Sequence, residues 1–192
     1  QPAIFPMDLG NAEEQDYVGL VQAIAENFKQ LDGLVLNAAV LGQHGPIIHT
    51  DLEQWNHALK INLTVNFLLL KHCAAILNQA EQASCLYVSD QVAQQGRAYW
   101  GSYASPKAAC LNLIETVAQE WESNTHIHVN SLDPGTINTA LRRQAFPGLD
   151  PAEHLSPESV TKAFVYFMDS GTSWPNGKHF SWDTADQLLT EI

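Results

Sequence analysis

The sequence predicts an α/β domain built on a mainly parallel, doubly wound sheet. Short apolar, strand-like runs alternate with helix-period stretches at the rhythm of β-α-β units. The segment Leu34 to Ala39 is apolar except for Asn37, the pattern of a strand buried on both faces. Internal repeats and low-complexity segments are absent from the sequence, and 192 residues suffice for one core without a disulfide or metal staple. Residues 1–192 are therefore read as a single domain.

Taken in order, Ala3 to Asp8 is a short strand candidate. A helix follows, in which Tyr17, Leu20, Val21, Ile24, Phe28 and Leu31 recur at three- and four-residue steps. Glu13 and Glu14 suit its positive N-terminus. After the strand at Leu34 to Ala39 comes a loop with Gly42, Gly45 and Pro46. Thr50 and Glu53 then form a capping box for a long helix from Asp51 to about Asn78. Cys85 to Ser89 is the next strand and Ser102 to about Ser123 the next helix. A strand over His126 to Leu132 ends in Asp133-Pro134-Gly135. Ala140 to Leu155 has two prolines, a glycine and no clear period, which reads as a mobile loop. A helix from Pro157 to about Asp169 and a strand near Lys178 to Trp182 complete the chain.

Composition limits the partners. Nine basic against 21 acidic residues give a net charge of -12, which repels a phosphate backbone and an anionic membrane surface alike. Nucleic acid and membrane are not expected. Cys73, Cys85 and Cys110 are odd in number and sit among apolar neighbours, as buried free thiols of a reducing compartment do. Gln1 to Gly10 shows no basic region followed by an apolar one. Leu63 to Leu77 is interrupted by Asn66, Lys71 and His72 and is too short to span a bilayer. A cytoplasmic location is expected.

The candidate chemistry centres on Tyr103-Ala104-Ser105-Pro106-Lys107. On a helix Tyr103 and Lys107 share one face, one turn apart. An ammonium beside a phenol favours the phenolate and lowers the tyrosine pKa toward working pH, which suits proton exchange with an alcohol or carbonyl oxygen. Pro106 is tolerated if it lies in the first helical turn. His126 and His128 share a strand face, but no cysteine or acidic residue stands at ligand spacing, so no metal is expected.

The string Gln95-Gly96-Arg97-Ala98-Tyr99-Trp100-Gly101-Ser102-Tyr103 resembles the active-site segment of short-chain dehydrogenases/reductases. Leu36-Asn37-Ala38-Ala39 resembles that family's Asn-Asn-Ala-Gly, Ile61-Asn62-Leu63 its helix asparagine, and Ile127-His128-Val129-Asn130 with Pro134-Gly135 its sixth strand and following turn. Asp8-Leu9 fits the end of its third strand. Gln-Gly-Arg-Ala and Trp-Gly before the tyrosine are most similar to the bacterial YciK-like oxidoreductases. The resemblance implies a Rossmann-like fold and a nicotinamide cofactor, NADP or NAD. It implies Tyr103 as general acid/base, Lys107 as the group that binds the nicotinamide ribose and lowers the tyrosine pKa, and Asn62 as holder of a relay water. On its face of the helix, shared with Trp55, Leu59, Asn66 and Leu70, the Asn62 amide points inward; without the family it reads equally as a buried structural amide.

For the cofactor the resemblance implies Asp8 at the adenine, Asn37 at the adenosine ribose, and Pro134, Gly135, Ile137 and Thr139 at the nicotinamide. Read alone, Asp8 is a turn residue, Pro134-Gly135 an ordinary turn and Thr139 a helix cap. The pattern is broken twice. Where the family has its substrate-binding serine stands Asp90; Ser89, one residue earlier, is the substitute catalytic candidate, and strand alternation turns it to the other face unless the backbone twists at the strand end. An ionised Asp90 cannot donate to a carbonyl, whereas a protonated one can. The expected Gly-rich strand-turn-helix is also missing, so the first two β-α units are expected to be absent and the Leu34 strand to be an exposed edge. Poor nicotinamide binding by the chain alone follows. The expected function is carbonyl reduction or alcohol oxidation by hydride transfer, with a small-molecule substrate. The alternative is a catalytically silent fragment acting as a binding or oligomerisation module. The two long helices resemble those through which family members form homodimers or homotetramers. The Ala140 to Leu155 loop occupies the place of the family's substrate lid, and its Leu141, Ala145, Phe146 and Leu149 point to an apolar substrate.

Overall fold

The computed structural model describes residues 3–150, 154–169, 173–183 and 188–192. Its sheet has strands β1 (Gly33–Leu36), β2 (Ala83–Val88), β3 (Ile127–Asp133), β4 (His179–Asp183) and β5 (Leu188–Glu191), in that spatial order. The first four run parallel, with Leu36 beside Tyr87, Leu86 beside Asn130 and Ser131 beside His179. β5 returns antiparallel to β4, an addition the sequence reading did not contain.

Strand alternation divides the core between the two sheet faces. Leu36, Cys85, Tyr87 and Val129 pack with Leu70 and Leu77 of α3 (Val65–Leu77) and with Ile114 of α4 (Gly101–Trp121). Leu86 and Leu132 point the other way, against Ala163 and Phe167 of α6 (Thr161–Met168) and against Trp174 and Trp182. Helices on both faces of a parallel sheet are the expected doubly wound arrangement. β1 lies at the edge, and its Val35 remains 38% exposed. Cys73, Cys85 and Cys110 are free and buried, and burial raises all three thiols above their ordinary value, Cys73 to about 11.

Several elements differ from their expected form. Ala3 to Asp8 is not a strand, because no neighbour offers it a ladder. The Asp8 carboxylate instead accepts from Gly10 N at 3.0 Å and Asn11 Nδ2 at 2.8 Å, closing a turn before α1 (Glu14–Asn27). α1 seats its fully buried Tyr17 on Val65 and Leu68 of α3. The cap of α2 (Leu52–Leu59) is Asp51, not Thr50. Its Oδ1 accepts from Glu53 N at 2.9 Å and Gln54 N at 3.1 Å, while the Thr50 hydroxyl donates to the Pro46 carbonyl. A carboxylate at the cap also meets the helix dipole, which a hydroxyl does not. α2 continues through a π-helical segment, Lys60–Thr64, into α3. The whole run Leu52–Leu77 is long and apolar enough to cross a membrane by length and composition, longer than the apolar stretch read from sequence. Here its apolar face is core.

α4 begins at Gly101, which leaves Pro106 inside the helix rather than in its first turn. The missing N–H deprives the Ser102 carbonyl of its helical partner. The stretch read as an irregular loop contains α5 (Ala140–Ala145), started by Thr139, whose Oγ1 accepts from Arg142 N at 3.1 Å.

Candidate active site

The parallel strands β1, β2 and β3 all end at one edge of the sheet, where ligands of open α/β sheets gather. Asp90 and Asp133 follow or close β2 and β3 there, and the first two turns of α4 bring Tyr103 and Lys107 beneath them. Tyr103 is 5% exposed and Lys107 3%. The Tyr103 hydroxyl donates to Asp90 Oδ2 at 3.4 Å, and Asp90 Oδ1 accepts from Val92 N at 3.1 Å. Asp90 thus caps the short turn after β2 and faces the phenol. Ser89 is fixed by its backbone N–H to the Leu132 carbonyl at 2.7 Å, in continuation of the ladder.

Lys107 Nζ donates to the Val88 carbonyl at 2.7 Å and lies 4.9 Å from the Tyr87 ring centre and 5.6 Å from that of Tyr103. The expected lowering of the tyrosine pKa is not what the geometry gives. Burial pushes Tyr103 above its ordinary value, and the charges of Asp90 and Asp133 push it further. The physical reason is placement: the ammonium is engaged by a carbonyl, whereas the carboxylate touches the hydroxyl. Tyr103 is thereby held as a phenol.

Asn62 lies in the π-helical segment, 1% exposed. Its Oδ1 accepts from Val40 N and its Nδ2 donates to Val40 O, both at 2.8 Å, so the amide clasps the loop after β1. Of the two readings of this side chain, the structural one describes these bonds. The Asn62 backbone carbonyl accepts from Cys110 Sγ at 3.2 Å and from Asn66 Nδ2 at 2.9 Å. Cys110 stands one turn beyond Lys107, which ties the asparagine to the Tyr103 helix. π-segments of this kind are frequent at functional sites.

The remaining expected positions vary. Pro134, exposed Gly135 at φ +76° and buried Ile137 follow directly on β3, and Gly135 N donates to Asp133 Oδ1 at 2.8 Å. Thr139 is a helix cap. Asn37 is exposed just past β1. The Asp8 carboxylate is turned onto its own loop. Two participants escaped the sequence reading. Asp133 is a second carboxylate beside Lys107, its pKa raised chiefly by burial. Trp100 stacks edge-on against Tyr103 at 5.9 Å and lies 5.6 Å from Phe146, walling the phenol from solvent. Trp100 itself is 6% exposed, and Tyr99 before it takes a φ of 74°, uncommon outside glycine.

Comparison with known proteins agrees with this geometry. The family model described as enoyl-(acyl carrier protein) reductase matches residues 1–184. The oxidoreductase YciK of Escherichia coli K12 is 30% identical over 180 residues, covering 94% of this chain and 71% of its own length. The chain belongs to the short-chain dehydrogenase/reductase family. Among solved family structures, a short chain dehydrogenase from Pseudomonas syringae superposes with a TM-score of 0.92 at 32% identity, covering 94% of this chain and 73% of that one. A short chain dehydrogenase from Shigella flexneri 2a, solved in complex with NADP, gives a TM-score of 0.90 at 30% identity over 94% and 75%.

In this short-chain dehydrogenase/reductase the buried lysine makes stability depend on pH in a defined direction. Burial lowers Lys107 to about 8, although Asp90, Cys110 and Asp133 pull it back up. An unfolded lysine titrates near about 10.4, so between the two values the unfolded chain binds more protons and folding gains stability as pH rises. Below about pH 8 the cost of the buried charge is fully present. The stability of wild type relative to Lys107→Met is therefore expected to be lowest near neutrality. It should recover by on the order of a few kcal/mol as pH approaches about 10.4. Urea denaturation of both proteins across this range measures it, and a pH-independent difference would contradict the assignment.

Proposed function

We propose that this chain is a carbonyl reductase of its family, transferring hydride from NADPH or NADH to a small ketone or aldehyde, with Tyr103 as the acid. The observation that carries the reading is the buried Tyr103 hydroxyl, kept protonated beside Asp90 at the carboxyl edge of the sheet. The nicotinamide would supply the hydride. Lys107 would bind its ribose, and Pro134, Gly135, Ile137 and Thr139 would line its carboxamide end, with Asn37 and Asp8 toward the adenosine. The side-chain amide of Asn62 fixes the Val40 loop, and a relay water would meet the polar groups around it. The residues after β3 fit the nicotinamide end: an exposed glycine with left-handed φ lets a ring approach the backbone. Residues 1–192 encode no glycine-rich turn for the diphosphate. Relatives solved with NADP and NADPH support the choice of nucleotide.

A phenol favours reduction over oxidation. Proton donation to a developing alkoxide needs the protonated tyrosine, which persists up to and beyond about pH 10. Reduction should accordingly be flat through neutrality, while alcohol oxidation should climb with pH. The proposal extends to a cytoplasmic, self-associating enzyme. The half-exposed Phe67 on α3 suits a helix-to-helix contact between copies.

The test is loss of NADPH absorbance against a panel of ketones and aldehydes, at saturating cofactor concentrations. Asp90→Ser should raise turnover, because it replaces a charge that opposes alkoxide formation by a hydroxyl donor. No reduction by either protein, both folded by circular dichroism, would overturn the reading.

A further inference from the structure

The sequence contains three arginines, Arg97, Arg142 and Arg143, against 21 acidic residues. Two of them, Arg97 and Arg142, lie against the aromatic residues packed around Tyr103. The Arg97 guanidinium stacks 5.7 Å from the Trp100 ring and 5.9 Å from Phe146, and that of Arg142 lies 3.9 Å from Phe146. Two like charges thus converge on one phenylalanine. Among the described residues the ion pairs are Lys71–Glu14, His72–Glu14, Lys178–Glu191 and His179–Glu115, and none uses an arginine. The Arg142 Nε is buried without a hydrogen-bond partner among the described residues. Arg143, by contrast, donates to Asn138 Oδ1 at 2.7 Å.

Arg97 is exposed and Arg142 half-buried, but the buried, unpartnered Arg142 Nε carries a desolvation cost that an anion joining the two converging guanidiniums would relieve. Stacking on aromatic faces leaves the N–H edges of an arginine free to grip a carboxylate in the plane of the fork. The surroundings are apolar: Leu41, Leu141 and Phe146 pack around Trp100 and Tyr103. We propose that Arg97 and Arg142 form an anion clamp for a substrate that joins a carboxylate to an apolar body, with its carbonyl reaching Tyr103. The clamp names the substrate class of the site described above and rests on that reading.

The experiment follows the arginine Nε–H signals of the 15N-labelled chain, three in number, during titration with hexanoate, with uncharged hexanamide and with inorganic diphosphate. The Arg142 and Arg97 signals should move saturably with hexanoate and stay still with hexanamide, and Arg143 should stay still throughout. Arg142→Gln should weaken hexanoate about tenfold, and Arg142→Lys, which keeps the charge but not the fork, by less. Equal movement with hexanamide, movement with diphosphate alone, or no saturable movement would each overturn the clamp. Because the readout is binding, saturation by hexanoate without any NADPH turnover would retain the clamp and remove the reductase reading. Turnover of a ketone panel without hexanoate binding would do the reverse.

Discussion

Tyr103→Phe is expected to lower carbonyl reduction by about 10²- to 10⁴-fold, the usual contribution of one positioned acid, while the protein stays folded. The ring is what the fold uses. It packs with Leu41, Trp100 and Ala104, and the helix is anchored by Tyr103 N donating to Trp100 O at 3.0 Å. The hydroxyl contributes one long bond to Asp90, and a phenylalanine ring fits the same space. Loss of turnover with an unchanged melting temperature would therefore isolate the proton from the packing. The pH profile adds a check that a structural role would not pass. With wild type, oxidation of an alcohol should rise with pH as the phenolate forms, and in the Tyr103→Phe variant that rise should vanish. Equal rates for the two proteins would place the acid elsewhere, with the Asp90 and Asp133 carboxylates the groups to try next.

What the sequence made legible were the parts governed by local rules. Cys85 to Val88 is a strand whose run is apolar and which the sheet buries on both faces, while Leu34 to Leu36 and Ile127 to Leu132 flank it as the apolar runs on either side, the first at the edge with Val35 still 38% exposed. Tyr103 and Lys107 share a helix face because their spacing requires it. What failed depended on partners distant in sequence. Ala3 to Asp8 has the composition of a strand but no ladder to join. β5 exists through pairing with β4, which its own short composition does not announce. The tyrosine pKa lies opposite to expectation chiefly because the ring is buried and Asp90 stands against its hydroxyl, neither of which helical spacing announces. Lys107 chose the Val88 carbonyl, nineteen residues away. Asn62 looked inward as expected, yet its partner was the Val40 peptide, set by the π-segment rather than by helical periodicity. The arginine cluster was invisible because Arg97 and Arg142 meet across Phe146 only once α5 folds over Trp100.

Phe167→Ala should be the most destabilising of the simple truncations, by about 3–5 kcal/mol. Phe167 is wholly buried in α6, with Phe180 of β4 at 5.3 Å and Tyr166 at 5.1 Å between ring centres. It joins α6 to Leu86 and Leu132, and so holds the second face of the sheet closed. Removing the ring opens a cavity between a helix and strands that are fixed by their own ladders, so the site has little freedom to collapse. The same face already leaves Val35 of the edge strand partly in water, so loosening α6 would uncover a longer apolar edge and favour association through β1. Urea denaturation should show the lost stability, and light scattering of the variant should show growth of aggregates with protein concentration. Ile4→Ala serves as the reference, since its side chain is 87% exposed and its loss should stay within about 0.5 kcal/mol. If the two substitutions cost the same, the packing of α6 on the sheet is not what holds this face together.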